Sequence, residues 1–191
     1  MTRLLTELVE VQAGHPFRGS VVPAPDGNAY ALQMRDIDPD GDVDWDGVVR
    51  TRTEGRRAPA WLQAGDVVFV GRGTRNFALC LRDVPLPAVC SQYFYLLRVK
   101  QPARLLPEFL AWQINGAPAQ RYLASNAEGS DQRSIRRAVL EALPLALPPA
   151  DEQRRIVALA DAARREKKLL ENLIRNRQRE LDALALALNS R

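Results

Sequence analysis

The chain has 191 residues, 46% of them hydrophobic and 26% charged, and 27 basic against 23 acidic side chains leave a net charge of +4. At about 150 residues per domain, this length predicts one domain with an appendage or two small ones. The apolar fraction excludes a disordered chain and a disulfide-held miniprotein. The mild basicity names no polyanion by itself, although 24 of the 27 basic residues are arginine. GC-rich coding would produce that skew without a functional cause, yet a guanidinium fork suits phosphate and guanine better than an ammonium does.

In chain order, Arg3–Val11 reads as a short helix, followed by a turn at Gly14-His15-Pro16-Phe17. Strand-like stretches follow at Ala29–Met34, Val67–Val70, Phe77–Leu81 and Tyr93–Val99, with another near Val48. Leu106–Asn115, Pro118–Ala124 and Ile135–Leu143 read as helical pieces, punctuated by Gly and Asp clusters as turns should be. All 13 prolines and all 11 glycines lie before Ala150, and the change falls at Leu147-Pro148-Pro149. Proline is tolerated at a helix start and rejected inside one. Residues 150–191 therefore read as one uninterrupted helix, with Asp151 and Glu152 suited to its N-terminal dipole. Steps of four and three place Ile156, Ala160, Ala163, Leu170, Ile174, Leu181, Leu184 and Leu188 on one seam, which only Lys167 and Arg177 interrupt. This is a coiled-coil heptad stripe on a rod of roughly 60 Å, and it calls for a covering helix. The alternative is that the helix packs back onto residues 1–149.

Several motifs bear on chemistry. The run Asp36, Asp38, Asp40, Gly41, Asp42, Asp44, Asp46 starts like a calcium-binding EF-hand loop, but Gly47 stands where the bidentate Glu belongs. A hairpin loop between Ala29–Ile37 and the strand near Val48 is the competing reading. Gly71-Arg72-Gly73-Thr74-Arg75 follows a strand and satisfies neither nucleotide-binding glycine motif. It is either an ordinary tight turn or a loop that lets backbone approach DNA. His15 is the only histidine, which argues against multi-histidine metal sites and a Ser-His-Asp triad. No metal, nucleotide or methyl-donor motif is present, so the sequence argues against a self-contained enzyme. Arg50, Arg52, Arg56 and Arg57, then Arg72 and Arg75, then Arg133, Arg136 and Arg137 form basic clusters in loops. They either gather into one patch or are separately solvated. Cys80 and Cys90 are the only cysteines. With no signal peptide and no apolar run long enough for a membrane span, free thiols and a cytoplasmic setting are expected.

In order along nearly the whole chain, the sequence resembles the specificity (S) subunits of type I restriction-modification systems. The matching pieces are Leu8-Val9-Glu10-Val11 with Gly14–Gly19, Leu32–Ile37 with Gly41-Asp42-Val43, and Gly65-Asp66 leading to Arg72-Gly73. Val89–Gln92, Tyr95–Val99 and Pro107–Trp112 follow, then Gly129-Ser130 with Ile135 and Leu140. The most specific piece is Leu143–Pro149 followed by Glu152-Gln153 and Ile156, which resembles the family's lead-in to its long helix. The resemblance implies an α/β (α+β) target recognition domain at 1–149 followed by one long coiled-coil α-helix at 150–191. It implies a non-catalytic subunit that binds double-stranded DNA and docks DNA methyltransferase subunits, with or without a restriction/translocase subunit. S-adenosylmethionine would be bound by those partners and no cofactor by this chain. A usual S subunit is similar to two such units, so a half-subunit acting as a homodimer on a bipartite inverted-repeat site is expected. The expected DNA contacts are Arg18, Arg50, Arg52, Arg56, Arg57, Arg72, Thr74, Arg75, Gln92, Gln132 and Arg133, with arginine serving phosphate or guanine and glutamine serving adenine. A coiled-coil adaptor that never touches DNA, and a metal-dependent nuclease using the acidic run, are the rival readings.

Overall fold

The computed structural model describes residues 2–37, 43–53, 58–129 and 132–189. Asp38, Asp40, Gly41 and Asp42 of the acidic run, Arg56 and Arg57 of the first basic cluster, and Ser130 and Asp131 lie outside the described residues. The chain divides into two compact units, Met1–Arg154 and Arg155–Arg191.

The first unit opens with strand β1 (Thr2–Leu4), a single helical turn α1 (Leu5–Leu8) and strand β2 (Val9–Ala13). The helix expected over Arg3–Val11 is thus confined to one turn. From Val9 the apolar residues alternate, with Val9 and Val11 buried and Glu10 exposed, and this period of two places β2 against a sheet. Strands β3 (Ala29–Leu32), β4 (Val49–Thr51), β5 (Val67–Val70), β6 (Arg72–Gly73), β7 (Ala78–Cys80), β8 (Ala88–Cys90) and β9 (Phe94–Val99) follow. Helices α2 (Pro107–Asn115) and α3 (Ala117–Ser125), strand β10 (Arg133–Ser134), helix α4 (Arg137–Glu141) and strand β11 (Pro144–Ala146) complete this unit up to the start of α5 (Ala150–Asn189).

A four-stranded antiparallel sheet has the order β2-β9-β5-β7, and a three-stranded mixed sheet has the order β4-β3-β8. The β3–β8 pair is parallel, which a chain reading built on local hairpins does not find; β8, only three residues long, was not anticipated. Leu32, Ala88 and Cys90 from the mixed sheet form one core with Val68, Val70, Leu79, Phe94 and Leu96 from the larger sheet. All four residues of β5 are buried, as befits a strand covered on both faces. Helix α2 packs on β5 and β7. From its end, Asn115 clamps the outer edge of β7. Its Oδ1 accepts from the Ala78 N–H and its Nδ2 donates to the Ala78 carbonyl, both at 2.8 Å, so that edge is closed by a side chain.

Two buried polar groups hold this frame. Asp66, 2% exposed, accepts Arg98 Nε on Oδ1 at 2.8 Å and Arg98 Nη2 on Oδ2 at 2.7 Å, and it also accepts the Gln63 N–H at 2.8 Å. Hydrogen bonding to Asp66 raises the Arg98 pKa. Gly65, just before it, takes φ of +86°, a left-handed conformation that suits glycine. Gln153 is fully buried in the first turn of α5. Its Oε1 accepts the Leu106 N–H at 2.9 Å, and its Nε2 donates to the carbonyls of Arg104 (2.7 Å) and Pro148 (2.9 Å).

The second unit continues α5 without a break to Asn189. Leu170, Ile174, Leu181, Leu184 and Leu188 of the seam are between 54% and 73% exposed, and Leu159, Leu169 and Leu173 widen the apolar stripe. Ala163 is also exposed, while Ile156 and Ala160 are half-buried. Lys167 and Arg177, which interrupt the seam, pair within the same helix with Glu171 (3.6 Å) and Glu180 (2.8 Å).

Candidate nucleic-acid interface

The arginine-bearing loops of the first unit are joined by direct contacts. Segment 14–24 runs between the two sheets' ends. Gly14 sits so close to the Ser91 carbonyl that a Cβ there would lie 2.0 Å from its oxygen, so only glycine fits. The His15 N–H donates to the Cys90 carbonyl at 2.7 Å, and partial burial lowers the pKa of its ring. The Phe17 N–H donates to Gln92 Oε1 at 3.1 Å, and Gln92 Nε2 points back to the Phe17 carbonyl at 3.4 Å. These contacts fix the exposed Arg18 beside β4, where Arg18 and Arg52 line one cavity of about 550 Å³.

On β4, Arg50 Nε donates to the Gly27 carbonyl at 2.8 Å, and its guanidinium lies 6.0 Å from the centre of the Tyr30 ring. Arg52 pairs with Asp26, and the hydrogen bond from Arg52 holds that carboxyl below the usual range. On the other side, Tyr93 follows Gln92, and its carbonyl accepts the N–H groups of Gly71 (2.9 Å) and Arg72 (3.1 Å). Strand β6 then pairs antiparallel with β10, Gly73 opposite Arg133 and Arg72 opposite Ser134. The Gly71-to-Arg75 loop is therefore tied to both Tyr93 and the 132–134 segment. Arg72, Thr74, Arg75, Gln132 and Arg133 are all exposed there. Among the described residues, Arg18, Arg72, Arg75 and Arg133 form no ion pair. Arg136 and Arg137, which belonged to the same sequence cluster, are paired with Glu128 and Glu141.

Two features of this site are not evident from the sequence: the partner of Gln92 and the placement of Arg35. Gln92, expected to face a base, has its amide engaged on the Phe17 backbone. Arg35, exposed on the short turn Met34–Asp36, lines a second cavity with Gln92 and Tyr93. Neither could be found from clustering along the chain, because Arg35 stands apart from the other arginines and reaches the site only through tertiary pairing.

Asp36 and Asp44 of the acidic run have local structural duties. Asp36 accepts the Gln33 N–H at 2.8 Å, and Asp44 accepts the Gly47 N–H at 3.3 Å. Burial raises the pKa of Asp36. Ile37 and Val43 form an isolated antiparallel bridge. Among the described residues, no group of His, Cys, Asp or Glu could hold a metal ion, and no helix is long and apolar enough to cross a membrane.

The first unit is thus a mixed-sheet scaffold that presents arginine-bearing loops, and the chain continues into a long helix. A family model described as "Type I restriction modification DNA specificity domain" matches residues 55–176. The chain belongs to that family. Its fold is similar to the type I restriction-modification S subunit from M. genitalium (TM-score 0.56, 18% identity, 91% of this chain and 40% of that one). It is also similar to the HsdS subunit from Thermoanaerobacter tengcongensis (TM-score 0.64, 19% identity, 91% and 39%). A third chain, from a structure concerned with complex assembly and conformational transition of the type I R-M system, has a TM-score of 0.64 at 18% identity and covers 96% and 43%. The chain thus spans about two fifths of the length of these solved chains. No curated protein matches it.

Proposed function

We propose that this chain is the sequence-reading component of a type I-like restriction-modification complex, and that two copies pair through α5 to present two reading heads to duplex DNA. The observation that carries this reading is the set of exposed arginines, without an ion pair among the described residues, on loops tied together by Gln92, Tyr93 and the β6–β10 pair. Arginine on such loops meets phosphate, which sets register, while base edges supply specificity. The exposed seam on α5 supports pairing, because an apolar heptad stripe left in water is buried most simply by an identical stripe. Pairing by a twofold axis makes the preferred site an inverted repeat with a fixed spacer. The chain does no chemistry itself. Methyltransferase subunits docked on it supply S-adenosylmethionine and the transfer step, and a restriction/translocase subunit is a further partner.

The test is binding of the full chain to duplex DNA across a salt series. Log K is expected to fall linearly with log salt, with a slope of about 0.9 per phosphate neutralised. No binding, or binding that ignores salt between about 50 and 200 mM, overturns the reading.

A further inference from the structure

The turn Met34–Asp36, the segment around Ser20 and the β8–β9 turn enclose a half-open cavity of about 520 Å³. Two polar groups in its lining are unusual. Ser91 is 2% exposed, and neither its Oγ nor Gln33 Nε2, also a buried atom, has a hydrogen-bond partner among the described residues. Their backbones need no help from these side chains. The Ser91 N–H donates to the Leu32 carbonyl at 3.0 Å, and the Gln33 N–H donates to Asp36 Oδ2 at 2.8 Å. A buried amide N–H or hydroxyl left unpaired is costly, and folded chains satisfy nearly all such groups. An apolar residue would serve the fold better at either position, so both groups call for a hydrogen-bonding partner from the adjoining cavity, water or a ligand group.

The surroundings indicate what that is. Tyr93, 42% exposed, and Met34 give flat apolar walls, and the exposed Arg35 stands at the rim. Gly73 abuts Met34, since a Cβ on it would lie 3.2 Å from Met34 Cε, so the cavity adjoins the loop that carries Arg72. The Gln92 amide is committed to Phe17. We propose that Gln33 and Ser91 are specificity-determining residues that receive the edge of one base of the DNA duplex. This inference rests on the DNA-reading function proposed above. Two donors from residues that line one cavity suit guanine, whose major-groove edge offers O6 and N7 as acceptors. Gln33 Nε2 and Ser91 Oγ each donate to one of them, and Arg35 adds favourable charge.

The experiment selects random-sequence DNA duplexes on the full-length wild-type chain and on Gln33→Leu, Ser91→Ala and Gln33→Glu, and sequences the bound pools. The wild type is expected to enrich a site with one guanine position at which Gln33→Leu and Ser91→Ala each lose about tenfold in discrimination while other positions hold. Gln33→Glu, an acceptor in place of a donor, should move the preference at that position toward cytosine or adenine, whose major-groove edges carry an amino donor. For Gln33→Leu and Ser91→Ala, binding to unselected duplex and its salt slope should not change, because neither alters a charge or a phosphate contact. Melting temperatures of Ser91→Ala and Gln33→Leu should equal or exceed that of the wild type, since each removes an unpaired buried group. A wild type that selects a site which all variants share unchanged overturns this inference alone. So does a lower melting temperature with equal loss at every position, which would make both residues structural. A wild type that selects no sequence overturns the proposed function together with it.

Discussion

Replacing Gln153 by leucine should destabilise the first unit more than any exposed substitution in it. The side chain is fully buried and makes three hydrogen bonds, one accepted from the Leu106 N–H and two donated to the carbonyls of Arg104 and Pro148. Leucine fills much of the same space and can make none of them. The Leu106 N–H has no other partner, so its loss is the heaviest; Arg104 is exposed, so its carbonyl regains water more easily. At about 1 kcal/mol net per hydrogen bond, the total is about 3 kcal/mol. For a chain of this length, each kcal/mol shifts Tm by roughly 2–4 °C, so a fall of about 6–12 °C is expected. The tryptophans at 45, 61 and 112 all lie in this unit, so their fluorescence follows its unfolding separately from the helix signal. A Gln153→Leu protein that melts within about 2 °C of the wild type would refute the assignment of this side chain as an anchor.

Leu181→Asp combined with Leu184→Asp places charge on an exposed seam and should convert a self-associating chain to monomers by light scattering; an unchanged mass would remove α5 as the pairing surface. Burial pushes the Cys90 thiol up to about 12, so a thiol reagent at neutral pH should leave it unmodified in the folded chain and reach it only after denaturation, whereas the half-buried Cys80 is the first to react. For His15, partial burial lowers the folded pKa below its ordinary value, so the unfolded state takes up a proton first as pH falls. The stability is complete above about pH 6.5 and declines below it, and His15→Gln should flatten the fall in Tm between about pH 7 and pH 5. An equally steep fall in that variant would assign the pH dependence to other groups.

The parts legible in sequence were those set by local pattern. Val67–Val70 is four consecutive apolar residues and forms β5; the abrupt loss of Pro and Gly after Pro149 marks the start of α5. The parts not legible were those set by pairing at a distance. Ala88–Cys90 is too short to signal a strand, and it becomes β8 only because β3 accepts it in parallel. Val9–Ala13 reads as part of a helix because Leu5 and Leu8 supply helical spacing just before it, whereas the sheet imposes its own period on Val9 and Val11. In the site, the arginine clusters are visible as runs, but the hold of Gln92 on Phe17 is not, because the two lie 75 residues apart. Gln33 and Ser91 carried no signal at all, since an unpaired buried group is defined by what surrounds it.

The residues that carry the family resemblance are mostly pins. Gly14 lets segment 14–24 touch the Ser91 carbonyl, Gly65 turns the chain into Asp66, Asp66 holds Arg98, and Gln153 ties the start of α5 to Arg104 and Leu106. Of the arginines expected to meet DNA, Arg50 donates to the Gly27 carbonyl and Arg52 pairs with Asp26, whereas Arg18, Arg72 and Arg133 have no such duty. Among the described residues, Arg18, Arg72 and Arg133 are exposed and form no ion pair, so alanine at each should change folding stability by no more than about 0.5 kcal/mol. Each alanine that removes a phosphate contact should lower the magnitude of the salt slope by about 1 and weaken binding to all sequences alike. One that removes a base contact should leave the slope nearly unchanged and relax preference at a single position. A scaffold whose pins and readers are separate residues can exchange the second set without disturbing the first. If instead Arg72→Ala or Arg133→Ala lowers Tm as far as Gln153→Leu does, these arginines are part of the frame, and the division between scaffold and reading surface fails.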